Sequence, residues 1–214
     1  MIQFPQTMPT VGASAQSFEP ERVDFLSPEA GGRLGAITAG FPRWTMRITL
    51  NAMTFDQADI WRAWLAIQRG PQRPFFAFDM ERREPRHHRD GRPYAPSATV
   101  WHQQVREDGL AELTLEGVFR GQVVGVGDYV GFVWDGGKHE LVRAVGTAIA
   151  NASGIITVPV EPPVPSIVPP EATAVLRNPG CLMRLVPGET KLGEQGQSFF
   201  TAGSTIVAVQ DTIR

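Results

Sequence analysis

The stretch TFDQADIWRAWLAIQRGPQRPFFAF, residues 54–78, predicts one long helix and the beginning of the strand that follows it. Thr54 and Gln57 have the spacing of a capping box, in which each side chain satisfies a backbone N–H left open where a helix begins. Asp56 adds negative charge to the first turn, where the helix dipole favours it. These residues predict a well-defined helix N-terminus.

Gly70 and Pro71 predict the end of this helix, because glycine often follows the last helical residue and proline cannot continue the hydrogen-bond pattern. We therefore expect a helix over residues 54–69. Its apolar residues recur at helical spacing on one broad face: Ile60, Trp61, Trp64, Leu65 and Ile67. Such a face must pack against a sheet supplied by the rest of the chain.

Strands are predicted on both sides of the helix. Apolar residues alternate with polar ones over residues 44–50, which indicates a strand with one buried face. Phe75, Phe76 and Phe78 form an aromatic run of strand length. The local unit is thus strand, helix, strand. Two further strands are predicted near the C-terminal end, over residues 182–186 and 204–209.

Composition points to a β-rich protein with ordinary globular character. The chain has 214 residues, of which 42% are hydrophobic and 20% charged, and it contains 22 glycines and 18 prolines. These glycines and prolines follow no collagen period, so they indicate many turns. A net charge of −2 gives no argument for binding nucleic acid or an anionic membrane. The single cysteine, Cys181, excludes an internal disulfide and a multi-cysteine metal site.

The N-terminal sequence has no basic region followed by an apolar one, so we expect no signal peptide. No apolar run approaches the roughly 20 residues that a membrane helix requires. We therefore expect a soluble protein made in a cytoplasm, without membrane insertion. Residues 1–41 lack sustained periodicity and predict a disordered segment or an extended arm that lies on another surface. Within it, 23–26 and 33–37 could form short strands.

Residues 79–96 are dense in charge and predict a long solvated loop, with a hairpin tip near Asp90 and Gly91. Two strands of a meander follow, over residues 98–105 and 110–118. The chain then becomes a run of short β-segments, with a strong hairpin signal at 134–138. This spacing is typical of a small barrel or sandwich.

The prolines between residues 159 and 170 predict a stiff, extended boundary. Together these patterns predict a mainly β fold in three parts. An extended N-terminal arm spans 1–41. A β-sandwich domain with one flanking helix spans 42–118 plus 177–214, and an inserted barrel-like or sandwich module spans 119–176.

Few residues indicate chemistry. His87 and His88 with Asp90 and His102 are the first candidates for a metal or acid–base site, but their spacing matches no ligand motif, which favours a solvated loop. Cys181 begins an apolar strand and is interpreted as a small buried hydrophobe.

Two serines and one glycine-rich segment also lack the patterns of catalytic or phosphate-binding motifs. Ser153 and Ser198 lack the Gly-x-Ser-x-Gly elbow. Gly125–Asp128 lacks the lysine and the helix of a phosphate loop, so it predicts a β-turn. The arginines of 79–96 could contact phosphates, but acids are interleaved with them.

Three aromatic residues, Trp101, Tyr129 and Trp134, could form a platform that stacks on a sugar, although aromatics at strand spacing more often lie in a core. No enzyme class emerges from these patterns. We expect no catalytic, cofactor-binding or metal-binding residues.

Several packing and turn motifs resemble one known family when they are taken in order. The motifs are Arg43-Trp44-Thr45-Met46, a helix with Trp61, Ala63, Trp64 and Ala66 that ends at Arg69-Gly70, Pro74–Phe78, Gly125–Phe132, Ala148–Gly154 and Pro162-Pro163. This order resembles the distal tail protein family of long-tailed bacteriophages over most of residues 42–209. The arm and the arginine-rich loop are not matched.

The resemblance implies a structural virion protein at the tail tip. Members form a ring, expected here to be a hexamer, that joins the tail tube to the baseplate hub, and an added β-barrel module often decorates the outside. Expected partners are other copies of the chain, the tail tube protein, the hub, and receptor-binding or fibre proteins. Nucleic acid is not expected, apart from DNA passing through the tube. Assembly would occur in the cytoplasm of the bacterial host. Alternatives are another tail component, such as a hub or tail-completion protein, and a carbohydrate-binding module.

Overall fold

A computed structural model describes residues 3–28, 34–38, 40–194, 200–201 and 203–212, which form a mainly β protein with one α-helix. The helix α1 spans Phe55–Gln68, and short 3-10 helices span Gly70–Gln72 and Arg86–His88. The strands are β1 Gln6–Thr7, β2 Ala13–Glu21, β3 Asp24–Pro28, β4 Leu34–Thr38, β5 Arg43–Leu50, β6 Met53–Thr54, β7 Phe75–Ala77, β8 Val100–Val105, β9 Ala111–Glu116, β10 Val123–Val124, β11 Tyr129–Trp134, β12 Lys138–Ala144, β13 Ala148–Ile149, β14 Ile155–Glu161, β15 Thr173–Val175, β16 Cys181–Leu185, β17 Phe200–Thr201 and β18 Ser204–Gln210.

The N-terminus of α1 is capped as its sequence predicts. The Thr54 side chain accepts a hydrogen bond from the Gln57 backbone N–H, and the Gln57 side chain accepts one from the Thr54 backbone N–H. At the other end, Arg69 itself adopts the left-handed conformation (φ 53°) that glycine usually supplies. The predicted helix bounds are confirmed to within a residue.

The buried face of α1 is narrower than its sequence predicts. Ala58, Trp61, Trp64 and Gln68 are buried, whereas Ile60 is half exposed. The two large tryptophan side chains pack in the core below the helix, and so the face of α1 that carries them is turned towards the sheet. Ile60 consequently points away from the sheet, although the helical spacing grouped it with Trp61 and Trp64.

The first sheet has six strands in the order β1-β7-β16-β18-β5-β2. β1 runs parallel to β7, and every other pair is antiparallel. Along β5, Trp44, Met46, Ile48 and Leu50 are buried, while the intervening residues face outward. Helix α1 packs on the buried face, so one core cluster lies between the helix and the sheet.

The N-terminal segment contributes a full strand to this sheet. β2 pairs with β5 from Ala13↔Leu50 to Glu21↔Arg43, with one irregularity between Ala13 and Ala15. The prediction of a disordered or externally bound arm is therefore wrong for residues 13–21. Only Phe18 of this strand is buried, so its sequence lacks the alternation that would have revealed it.

The rest of the arm forms a separate hairpin. β3 and β4 pair with each other from Asp24↔Thr38 to Pro28↔Leu34, which confirms the two predicted short strands. Among the described strands, neither of the two belongs to a larger sheet.

The second sheet also has six strands, in the order β15-β11-β12-β14-β9-β8, and it encloses its own core. β8 and β9 lie here because β9 pairs with β14 along its whole length. The sequence placed these two strands with the first sheet, in 42–118, and began the module at residue 119. Alternation shows that one face of a strand is buried, but it does not show which sheet the strand joins.

The two edges of the second sheet come together at one end. Ser97 forms a bridge with Val175, and the Ala98 N–H donates to the Ala174 carbonyl at 2.8 Å. The proline-rich segment after β14 closes over the same core, with Val164 and Val168 buried in it. The sequence predicted that this segment is an extended boundary. Instead it packs over the core of the second sheet, because the valines between its prolines supply apolar contacts.

Candidate functional site

The residues that the sequence singled out for metal or acid–base chemistry do not come together. His88 is buried, and its Nε2 accepts a hydrogen bond from the Val123 backbone N–H at 3.1 Å. His87 and His102 are exposed on a loop and on β8, respectively. Among the described residues, no group of three or more histidine, cysteine, aspartate or glutamate side chains could hold a metal ion.

The other candidates have structural surroundings. Cys181 is buried at the start of β16, and burial together with the Glu140 carboxyl raises the pKa of its thiol. Ser153 lies in a turn whose Asn151 side chain accepts from the backbone N–H groups of residues 153 and 155. Ser198 lies outside the described residues. Cys181 thus behaves as the small hydrophobe that its sequence context predicted.

The aromatic residues considered as a sugar platform are separated. Tyr129 is buried against Phe18 and Trp44 in the first core. Trp101 donates from Nε1 to the Ala172 carbonyl at 2.8 Å and packs edge-on against Phe132. Trp134 lines a different surface, described below. The three rings therefore present no common exposed face.

An aromatic seam joins the two sheets. Phe18 stacks on Trp44 at 5.5 Å between ring centroids, and Tyr129 of the second sheet meets both rings edge-on. The Tyr129 hydroxyl donates to the Asp79 carboxylate at 3.1 Å, and burial together with that carboxylate raises the pKa of Tyr129. The Trp44 indole N–H donates to the Leu141 carbonyl at 2.8 Å. The seam fixes the second sheet to β2 and β5.

A buried polar chain continues the seam. The Trp44 backbone N–H donates to Gln210 Oε1 at 3.1 Å, and Gln210 Nε2 donates to Glu140 Oε1 at 2.6 Å. Glu140 also accepts from the Leu141 N–H. Desolvation raises the pKa of the Glu140 carboxyl despite these hydrogen bonds. These hydrogen bonds link β5, β18 and β12, so the protonation state of Glu140 affects the contact between the sheets.

A cleft of about 700 Å³ lies beside this seam, and Arg43, Trp134, His139 and Asp211 are among its lining residues. Two of its carboxylates are engaged elsewhere: Asp211 pairs with Arg184 at 2.8 Å, and Glu140 belongs to the polar chain. Burial lowers the pKa of His139. The cleft is an opening between the two sheets, and its third carboxylate, Glu21, forms no ion pair with a described residue.

Asp128 fixes the arginine-rich loop to the second sheet. Its buried carboxylate accepts from the Gly125 N–H at 2.8 Å and from the Arg86 N–H at 3.0 Å, and it pairs with Arg82 at 3.7 Å. The Asp128 N–H also donates to the Gly125 carbonyl, which confirms the predicted β-turn at 125–128. The sequence predicted that residues 79–96 form a long solvated loop. The structure instead anchors this loop to the second sheet through Asp128.

The hairpin of β3 and β4 carries the most exposed large apolar side chains of the arm. Phe25 is 61% exposed, and Leu26 and Ile37 are each 67% exposed. Phe25 and Ile37 are direct cross-strand partners, so their side chains lie on the same face of the hairpin. Val23 precedes Phe25 by two residues and continues this apolar surface.

Sequence reasoning missed Asp128, Glu140 and Gln122. Gln122 is buried, and its side chain bridges the loop to the module by accepting from the Ala95 N–H at 2.9 Å. Asp128 and Gln122 lie just before strands and resemble ordinary turn residues, whereas Glu140 is a single acidic residue within β12. The glycines beside Asp128 gave the only signal, because an aspartate after a tight turn often binds its own backbone.

The comparisons with known proteins add no family to this description. A scan against protein-family models found no match, and a search of curated proteins also found none. In the part of the chain that the structure describes, no helix is long and apolar enough to cross a membrane.

Proposed function

We propose that this chain is a structural subunit of the tail of a long-tailed bacteriophage, the distal tail protein whose ring joins the tail tube to the baseplate hub. The ordered sequence motifs that resemble this family support the proposal. A mainly β fold with one helix across a six-stranded sheet is consistent with it. So is the second sheet, whose strands lie between β7 and β16 in the chain.

The observation that carries the proposal is the exposed apolar hairpin. A two-stranded hairpin is only marginally stable in water by itself, and clustered exposed apolar residues mark a surface that contacts another molecule. Val23, Phe25, Leu26 and Ile37 are all more than half exposed in the isolated chain. A subunit that is completed by its neighbours explains this arrangement.

Under this proposal the two sheets have different roles. The first sheet with α1 is the β-sandwich domain that forms the ring, expected to be a hexamer, and contacts the tube and hub. The second sheet is a barrel-like module that faces outward, towards fibre or receptor-binding proteins. Assembly occurs in the bacterial cytoplasm, and the protein then resides at the tail tip of the virion.

Size-exclusion chromatography with light scattering tests the proposal, together with negative-stain images. We expect rings of the purified chain, either alone or after mixing with the tail tube and hub proteins of the same phage. A protein that stays monomeric alone and with both of these partners would refute the assignment. Position on labelled virions separates the distal tail protein from a hub or tail-completion protein.

The alternative of a carbohydrate-binding module has lost its main support. It requires Trp101, Tyr129 and Trp134 to be exposed together, and Tyr129 is only 4% exposed. We expect no signal on a glycan array. A specific glycan signal that is lost in Trp134→Ala would favour recognition of a host surface instead.

A further inference from the structure

We propose that the arm of one copy docks on a basic surface of the next copy, an inference that rests on the proposed ring. The arm surface consists of exposed residues on both faces of the hairpin and at its base: Val23, Phe25 and Ile37 on one face, Asp24 and Leu26 on the other, and Glu21 at the base. The basic rim consists of Arg86, Arg89, Phe119, Arg120, Val126 and Ile149. The arm surface combines acidic and apolar groups, and the basic rim combines basic and apolar groups.

The arm surface has carboxylates without a cationic partner. Glu21 is exposed at the end of β2, and Asp24 begins β3, where it accepts a hydrogen bond from the Thr38 hydroxyl at 2.6 Å. Neither forms an ion pair with a described residue. Val23 lies between Glu21 and Asp24 in the chain, and Phe25 follows Asp24. The side chains of Val23 and Phe25 are 57% and 61% exposed.

The basic rim has the complementary composition. Arg86, Arg89 and Arg120 are exposed, and within the described ranges none of the three forms an ion pair. Phe119 and Ile149 beside them are 50% and 66% exposed. Unpaired arginines around apolar side chains suit a partner that brings carboxylates and apolar groups together.

The rim is one continuous surface although it comes from distant parts of the chain. The His88 side chain accepts from the Val123 N–H, which holds the loop of Arg86 and Arg89 against β10. Val123 pairs directly with Ile149 of β13. The Gln122 N–H donates to the Phe119 carbonyl, so the turn that carries Arg120 adjoins the same pair.

The two surfaces share no residue, although Arg22 at the base of the arm pairs with Glu161, close to the Tyr129 end of β11 where the rim begins. The base of the arm lines the cleft with Trp134, at one end of the strand. The rim continues from Val126, just before Tyr129 at the other end. Two different surfaces of one subunit give a head-to-tail contact, which closes into a ring when the rotation allows it.

A protein partner explains the rim better than nucleic acid does. Phosphate groups would satisfy the three arginines, but they would leave Val126 and Ile149 exposed to water. The arm supplies both kinds of group at once. Within the described residues, its Leu26 and Ile37 are also among the most exposed large apolar side chains.

Paired charge reversals test the contact. One variant carries Glu21→Lys and Asp24→Lys, and the other carries Arg86→Glu, Arg89→Glu and Arg120→Glu. Each variant alone places like charges across the interface, so we expect self-association at least about tenfold weaker than in the unchanged chain. Mixing the two variants restores opposite charges at every contact, and mixed oligomers with alternating copies should form.

Matched controls separate the contact from general effects. Lys191→Glu reverses an exposed lysine that forms no ion pair with a described residue, and it should leave assembly unchanged. Phe25→Ser should weaken assembly, whereas Ile60→Ser should not, although Ile60 on α1 is also half exposed. Thermal melts of all variants verify that each chain is folded.

The outcomes distinguish this inference from the function on which it rests. Rings that form equally well in both reversed variants would overturn the docking contact and leave the ring function standing. An unchanged chain that never assembles, alone or with tube and hub proteins, would overturn both. Loss of duplex DNA binding in the arginine variant with unchanged self-association would assign the rim to phosphate and overturn the inference.

Discussion

The two buried tryptophans of α1 allow one hydrogen bond to be measured against a matched control. Trp61 is fully buried, and its indole N–H donates to the Val11 carbonyl at 2.8 Å. Trp64 is also buried and packs edge-on against Phe75 at 4.8 Å. Its indole N–H has no hydrogen-bond partner among the described residues. The variants Trp61→Phe and Trp64→Phe remove the same atoms from neighbouring sites.

The expected difference follows from these contacts. Trp61→Phe leaves the partly buried Val11 carbonyl without its donor, which costs about 0.5–1.5 kcal/mol beyond the lost packing. Trp64→Phe removes a buried N–H that is already unpaired, so its cost is the lost packing alone. Trp61→Phe should therefore lower the free energy of unfolding by about 0.5–1.5 kcal/mol more than Trp64→Phe does. Truncation of either residue to alanine should cost about 3–5 kcal/mol.

Urea denaturation gives the free energies, and equal slopes in the variants show that the unfolded state is unchanged. Thermal melts provide a second measurement, since each kcal/mol shifts Tm by roughly 2–4 °C in a chain of this length. Equal losses in the two phenylalanine variants would refute the role of the Val11 hydrogen bond. Alanine variants without any loss would refute the assignment of both rings to the core.

Further predictions concern the contact between the sheets and the loop. Because burial raises the folded-state pKa of Glu140, the stability that its protonated form contributes is lost as pH rises above about 4.5 through that raised pKa. Glu140→Gln should thus gain stability relative to the unchanged chain between pH 4 and pH 8 in urea denaturation, and a constant difference would contradict this. Asp128→Ala removes two backbone hydrogen bonds to a buried carboxylate and should cost about 3 kcal/mol. It should also expose the bonds after Arg82 and Arg83 to trypsin, whereas Asp90→Ala, at an exposed ion pair, should change neither stability nor cleavage.

Local signals in the sequence predicted the elements well. The capping box at Thr54, the alternation over β5 and the turn at 134–138 each act over a few residues, so their outcome does not depend on distant parts of the chain. In that turn Asp135 and Gly136 both have positive φ, as a tight hairpin requires. The same local rules predicted the strands β8 and β9, although they grouped them with the wrong sheet.

The sequence by itself determined a mainly β chain with one capped helix, whose two tryptophans seal a sheet, and it indicated no motif for catalysis. Only the tertiary structure decided which strands share a sheet, because pairing partners depend on contacts between residues far apart in the chain. It also decided that β2 completes the first sheet, and that Asp128 and Glu140 are buried. A carboxylate in a turn looks the same in sequence whether it faces water or accepts two backbone N–H groups, since its partners are supplied by the fold.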